Sequence, residues 1–191
     1  MKDRIMMIVF VLILGTILST TLVGVDNFTG PMIARNEKIK ELSTILNTFG
    51  IEYTDETIEK VFSDNIETVE YPELSIYKDT SGKIAFPFEG PGFQGPLVGV
   101  VVMDTDKKTI RGVGIKFQEE TPGLGSRISE KLFLDSFKGK QFDPQLNLVG
   151  AGKSVAKSDI DGITGATMSS TALIKVLNGD YKTFYSSVKG D

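Results

Sequence analysis

The chain holds 191 residues, of which 40% are hydrophobic and 24% charged; its net charge is −4, and it has neither cysteine nor histidine. That length suits one domain with a real core plus an appendage, while a pI of about 5.0 and the lack of a basic block count against nucleic acid as a partner. Without Cys there is no disulfide, thiolate zinc site, iron-sulfur cluster or cysteine-linked haem, and without His no Ser-His-Asp triad or imidazole metal ligand, so chemistry falls to carboxylates, hydroxyls, backbone or a bound cofactor.

Ile5 to Val25 is a run without charge, dominated by Ile, Val, Leu, Met and Phe. As a helix it extends roughly 30 Å, the thickness of a bilayer's hydrocarbon core, and it predicts one transmembrane span after a tail of residues 1–4. A cleavable signal peptide is the competing reading. It is disfavoured by the length of the apolar run and by Thr21-Leu22-Val23-Gly24-Val25, a poor small-x-small cleavage site. Lys2 and Arg4 flank one end of the span, and Arg35, Lys38 and Lys40 lie beyond the other. Long domains translocate largely regardless of charge, so the short basic tail sets the orientation and the C-terminal domain is expected outside the cytoplasm.

Residues 26–65 read as connecting helices. Asp26 to Gly30 is a polar hinge and Pro31 opens a second helix, with Ile39, Leu42, Ile45, Leu46 and Phe49 as its apolar stripe and Gly50 as its stop. Thr54 is expected to cap a short helix through Phe62, with Asp55 and Glu56 in its first turn.

Residues 66–191 form the main domain. Leu74 to Tyr77 and Lys83 to Phe86 flank Asp79-Thr80-Ser81-Gly82, which suits a hairpin turn. Glu89 to Pro96 reads as a rigid loop, and Leu97 to Met103 as a central strand covered on both faces. After the charged turn Asp104 to Thr109, Val113, Ile115 and Phe117 alternate with Gly112, Gly114 and Lys116. Those glycines leave one face bare, for a flat ligand or a close-packed helix. Glu120-Thr121-Pro122-Gly123-Leu124-Gly125 is a stiff loop in which Pro fixes one dihedral and two glycines permit close backbone approach. Ser129 is expected to cap a helix from Glu130 to Lys138, burying Leu132, Phe133 and Phe137 and stopping at Gly139. Leu146, Leu148 and Val149 suggest a strand, and Gly150 to Ser158 a loop of small residues.

That loop leads to Asp161-Gly162-Ile163-Thr164-Gly165-Ala166-Thr167-Met168-Ser169-Ser170-Thr171, a turn opening onto a helix through Leu177 that Asn178-Gly179 should close. Tyr181 to Val188 then makes a short packed helix, and Lys189-Gly190-Asp191 frays. On the residues alone the turn has two readings. Its hydroxyls cap the free amides of the first helical turn, or those amides and glycines seat a phosphate.

Asp161-x-x-Thr164-Gly165-Ala166-Thr167 resembles the acceptor motif of the FMN-binding domain family, in which a flavin transferase joins FMN through its phosphate to the last Thr. Glu120 to Gly125 matches a second loop of that family, one that lies against the flavin. The chain resembles the G subunits of Rnf electron-transport complexes most, sharing their Gly92-Phe93-Gln94-Gly95-Pro96-Leu97 segment. It resembles the C subunits of sodium-pumping NADH:quinone oxidoreductases somewhat less. Gln118 departs from the pattern, standing where many Rnf G sequences have His.

The resemblance implies an α+β fold: a single N-terminal transmembrane helix, then an FMN-binding domain with a mainly antiparallel sheet packed by helices. It implies covalent FMN on Thr167, with Thr164, Gly165, Ala166 and Ser170 around the phosphoester and Glu120, Thr121, Gly123 and Leu124 lining the ring. Asp161 would serve recognition by the flavin transferase. The implied setting is a bacterial or archaeal cell membrane, where the chain relays electrons among other subunits of an ion-translocating ferredoxin:NAD oxidoreductase. No Gly-x-Gly-x-x-Gly fingerprint follows a strand, so no nicotinamide site of its own is expected. Two rivals stand beside this reading. One is an anchored domain that binds a phosphate-bearing ligand reversibly; the other is a carboxylate hydrolase using Glu119 and Glu120, disfavoured because strand neighbours point to opposite faces.

Overall fold

The computed structural model describes residues 2–189. Contacts divide the chain into two units, Met1–Ile39 and Lys40–Asp191. The described residues of the first are helical and belong to α1 (Lys2–Phe49). An 18-residue window of α1 has a mean hydropathy of 2.5 with none of it buried, so the helix is long and apolar enough to cross a membrane. Four threonines along it, Thr16, Thr20, Thr21 and Thr29, each donate to the carbonyl four residues back.

The expected hinge at Asp26 to Gly30, with a new helix at Pro31, is not there; Pro31 lies inside α1. Proline forfeits one ladder bond, but the residue before it is Gly30, whose missing Cβ relieves the clash that normally turns a pre-proline residue out of the helix.

In the second unit the end of α1 buries Ile45 and Leu46, half-buries Leu42 and Phe49, and stops at Gly50 with φ +79°, as its stripe predicts. The next helix, α2 (Ile58–Asn65), starts later than the sequence suggests. Thr54 makes a turn with Thr57, their hydroxyls 2.8 Å apart, and Asp55 and Glu56 fall in that turn rather than in the helix.

Five strands follow as an antiparallel meander in sequence order: β1 (Ile66–Glu70), β2 (Ser75–Asp79), β3 (Ile84–Pro91), β4 (Pro96–Met103) and β5 (Ile110–Gln118). The rigid loop expected at Glu89 to Pro96 contracts to Gly92–Gly95, because Glu89 pairs with Val98 and Pro91 with Pro96. As expected, β4 is covered on both faces. Leu97, Val101 and Met103 join the main core, while Val100 and Val102 pack with Ala85 and Ile45. The bare face of β5 is filled by a helix: a Cβ on Gly112 would meet Thr48 O at 2.8 Å, and one on Gly114 would run into Thr48 Oγ1.

After the short 3-10 turn Gly125–Ser129 comes α3 (Lys131–Asp135), shorter than expected and without a side-chain cap from Ser129. Phe133 and Phe137 are buried, but Leu132 is 86% exposed, because a single turn of helix has one inward face and residues 133 and 137 occupy it. β6 (Asn147–Val149) pairs in parallel with β7 (Asp159–Asp161), a strand with no clear signal in the sequence. Finally α4 (Thr167–Val188) runs for 22 residues through Asn178 and Gly179. The Asn178 amide, rather than ending the helix, brackets Leu146, accepting from its N–H at 2.8 Å and donating to its carbonyl at 2.9 Å. The inward face of α4 (Leu173, Ile174, Leu177, Tyr181, Phe184 and Val188) builds the main core against the sheet. Gly190 and Asp191, expected to fray, lie outside the described residues.

Candidate functional site

The two motifs meet at the start of α4. Asp161 closes β7, Gly165 turns the chain with φ +85°, Ala166 N–H closes the turn on Ile163 O at 2.9 Å, and Thr167 is the first helical residue. No side chain caps this helix. The cap reading therefore fails at the position where it was strongest, and the amides of the first turn stay available.

The hydroxyls of the run divide sharply. Ser169 is 3% exposed and donates to Glu120 Oε2 at 2.7 Å; Ser170 is fully buried, its oxygen 3.5 Å from Ile163 N; Thr171 donates to Thr167 O at 2.8 Å. Thr164 and Thr167 are exposed, and neither hydroxyl is hydrogen-bonded among the described residues. Of these two, only Thr167 stands on the helix. Gly165 is exposed and Ala166 buried beneath it.

Glu120 is 4% exposed and points inward. Its Oε1 accepts from Phe93 N at 2.6 Å and Gln94 N at 3.2 Å, its Oε2 takes the Ser169 hydroxyl, and its own N–H donates to Gln118 Oε1 at 2.6 Å. Both carboxylate oxygens of Glu120 are thus engaged within the protein. Thr121, Gly123 and Leu124 are exposed on the loop, whose shape is held by Thr121 O accepting from Leu124 N and Ser126 N and by Gly123 N donating to Ser126 Oγ. Gln118, in place of His, serves as a backbone acceptor. Glu119 is exposed while Glu120 is buried, so the two carboxylates cannot flank one bond and the hydrolase reading has no geometry behind it.

Several contributors carry no signal in the sequence. Arg127 donates from Nη1 to Thr164 O at 3.1 Å and braces the turn before α4 from 37 residues away. Phe93, Leu124 and Met168 are exposed apolar side chains, at 52%, 54% and 58%, and each is, or adjoins, a residue beside the Glu120 carboxylate. Asp161 Oδ1 accepts from Lys153 N and Ser154 N, both at 2.9 Å, and so holds the loop after β6. Backbone N–H groups of Ala156 and then Val155 keep the Asp159 carboxyl below the usual carboxylate range on the same loop.

A cleft of about 510 Å³ runs along the turn, with Leu148 to Ala151 on one side and Gly162 to Gly165, Thr167 and Thr171 on the other. A larger cavity of about 670 Å³ lies between the end of α1 and β5, and no residue of either motif lines it. Its cations are already paired, Lys83 with Asp79, Arg111 with Asp104, and Lys131 and Lys138 with Asp135, so it makes no demand for an anion.

Residues 92–180, which contain both motifs and the first turn of α4, match the model of the FMN-binding domain. Over that segment the chain is similar to the FMN-binding domain family. Among curated relatives it is similar to the C subunit of the Na(+)-translocating NADH-quinone reductase of Neisseria meningitidis, 36% identical over 52% of this chain and 42% of that protein. Its counterpart in Pasteurella multocida is 32% identical over 63% of this chain and 47% of that protein. The chain thus spans under half the length of these relatives. Among solved structures, the C subunit of the Na(+)-translocating NADH-quinone reductase from Parabacteroides distasonis superposes with a TM-score of 0.72 at 27% identity, over 82% of this chain and 94% of that one. Shewanella oneidensis NqrC, at 21% identity and a TM-score of 0.69, shares the fold. The α+β architecture expected from the sequence stands, and these relatives favour the NADH:quinone reductase reading over the Rnf G one.

Proposed function

We propose that this chain is a membrane-anchored electron carrier holding FMN as a phosphoester on Thr167, and that it works like the C subunit of an ion-translocating NADH:quinone reductase. The observation that carries this reading is the Thr167 hydroxyl: exposed, free of intramolecular partners among the described residues, and placed on the first residue of an uncapped 22-residue helix. FMN supplies reversible one- and two-electron transfer when bound. The chain's part is to hold it. Amides and the dipole at the start of α4 offset phosphate charge, Thr164, Gly165, Ala166 and Ser170 shape the turn, and Thr121, Gly123, Leu124, Phe93 and Met168 offer an apolar rim to a flat ring. Asp161, by fixing residues 153 and 154, presents the turn to the flavin transferase in one shape. The Gly92-Phe93 segment favours, as a second reading, the G subunit of an Rnf-type complex working with ferredoxin and NAD. In either complex the apolar stretch of α1 anchors the chain in lipid with the domain outside the cytoplasm.

The test is co-expression with a flavin transferase, followed by fluorescence on a denaturing gel and mass analysis of the peptide containing residue 167. A fluorescent band carrying esterified FMN is expected for the native chain, and none for Thr167→Ala or Thr167→Val. Flavin that leaves on denaturation supports the reversible binder instead, and an adduct surviving in both variants places the acceptor elsewhere.

A further inference from the structure

We propose that Glu120 is the positioning residue of the acceptor turn: its buried carboxylate locks the start of α4 to the β3–β4 turn, presenting the Thr167 hydroxyl and withholding that of Ser169. This deepens the reading of Thr167 as the FMN acceptor and rests on it.

A carboxylate at 4% exposure is costly to bury unless its lone pairs are used, and here both oxygens are. One takes two backbone N–H groups of the β3–β4 turn, and the other takes the Ser169 hydroxyl. The surrounding backbone is cut to fit. A Cβ on Gly92 would come to 2.5 Å from Oε1, and one on Gly125 to 2.8 Å from Oε2 and 2.5 Å from Ser169 Oγ. Three segments far apart in sequence therefore close on a single charge: residues 92–94, 118–125 and 169. Ser169 lies two residues past Thr167 in the same turn of helix, so the bond that fixes one sets the direction of the other. The same bond disposes of a competitor, because a hydroxyl buried and donating to a carboxylate is closed to a transferase, whereas Thr167 is open. Charge-assisted bonds of this kind are stronger and more directional than neutral ones.

The full-length chain in membranes, supplied with a flavin transferase and its flavin donor, provides the test. Initial rates of flavin attachment are read at varied transferase concentration, with peptide mapping of the product, for the native chain and for Glu120→Ala, Glu120→Gln and Ser169→Ala. Misplacing a reacting atom by about 1 Å lowers rates up to about 100-fold, so Glu120→Ala should lower the saturating rate at least about tenfold while leaving the half-saturating concentration within about twofold. Glu120→Gln should recover most of that rate, since its amide oxygen still accepts from Phe93 and Gln94 and its NH₂ can donate to Ser169. Ser169→Ala removes only the arm to α4, and it decides the matter if Glu120→Ala does not fold. It should slow attachment several-fold per folded molecule, beyond any loss of folded protein from the unpaired Glu120 Oε2. Native rates in Ser169→Ala or in folded Glu120→Ala overturn the proposal, as does loss in Ala and Gln variants alike that merely tracks loss of folded protein. A native chain that takes no flavin at all overturns the underlying reading of Thr167, which is a separate result.

Discussion

Two glycines in the site show how differently one methyl group acts. Gly165 has φ +85° and nothing within 4 Å of its missing Cβ, so Gly165→Ala meets only backbone strain, about 1–2 kcal/mol. Gly125 has the opposite problem: its Cβ would press on Ser169 Oγ and Glu120 Oε2, and the pressed atoms are the clamp itself. Gly125→Ala should therefore destabilise by about 1–3 kcal/mol and slow flavin attachment together, since the methyl can be accommodated only by moving the first turn of α4. Urea unfolding followed by circular dichroism gives the first quantity, and gel fluorescence the second. The two substitutions should separate. Gly165→Ala deforms the turn ahead of Thr167 and leaves the clamp alone, whereas Gly125→Ala leaves the turn and opens the clamp.

At the scale of elements, α4 links core to site, since the helix that presents Thr167 also supplies Leu173, Leu177 and Phe184 to the core. Leu177 is fully buried, so Leu177→Ala should cost about 2–5 kcal/mol. Tyr181 adds a pH signature. Burial above all, and then the charges of Tyr185, Asp106 and Asp143, push its hydroxyl from an ordinary 10.0 up to about 12, while that hydroxyl donates to Lys107 O at 3.1 Å. With the folded value raised, the contribution is intact below pH 10; above it the unfolded chain ionises first, and stability falls as pH climbs toward 12. Thermal melts between pH 9 and 12 should show that fall, and Tyr181→Phe should flatten it while losing about 1 kcal/mol at neutral pH. Strands with alternating or continuous apolar residues are legible in the sequence, because period and burial are local properties. The apparent breaks at Pro31 and Asn178-Gly179 mislead for the converse reason. A local stop signal loses to a neighbour that no spacing reveals, as when the Asn178 amide is taken up by Leu146. In the site, the small-residue turn before α4 is legible from its motif, whereas the contacts of Ser169 and Arg127 depend on partners 49 and 37 residues away.

For the whole molecule, the first unit and the rest have opposite surfaces. Along α1, side chains such as Phe10, Leu12, Leu18 and Leu22 are more than 60% exposed, and the threonines among them spend their hydroxyls on their own helix, as an apolar solvent requires. The remainder is an ordinary charged surface over a closed core. We predict that the full chain stays with membranes through alkaline carbonate extraction, and that removing residues 1–25 releases it, assayed by the distribution between pellet and supernatant. Orientation can be read cleanly because the chain has no cysteine, so a single introduced thiol is the only target for a maleimide. Ser63 lies on the exposed side of α2, where its hydroxyl makes only a local bond to Lys60 O. Ser63→Cys should therefore fold normally. A membrane-impermeant maleimide added to intact cells, or to spheroplasts where an outer membrane intervenes, should label this thiol if the short basic tail of Lys2 and Arg4 stays inside. Lys2→Cys, on the tail, should react only after permeabilisation. Labelling of Lys2→Cys in intact cells with protection of Ser63→Cys would place the domain in the cytoplasm, on the same side as soluble flavin and NADH.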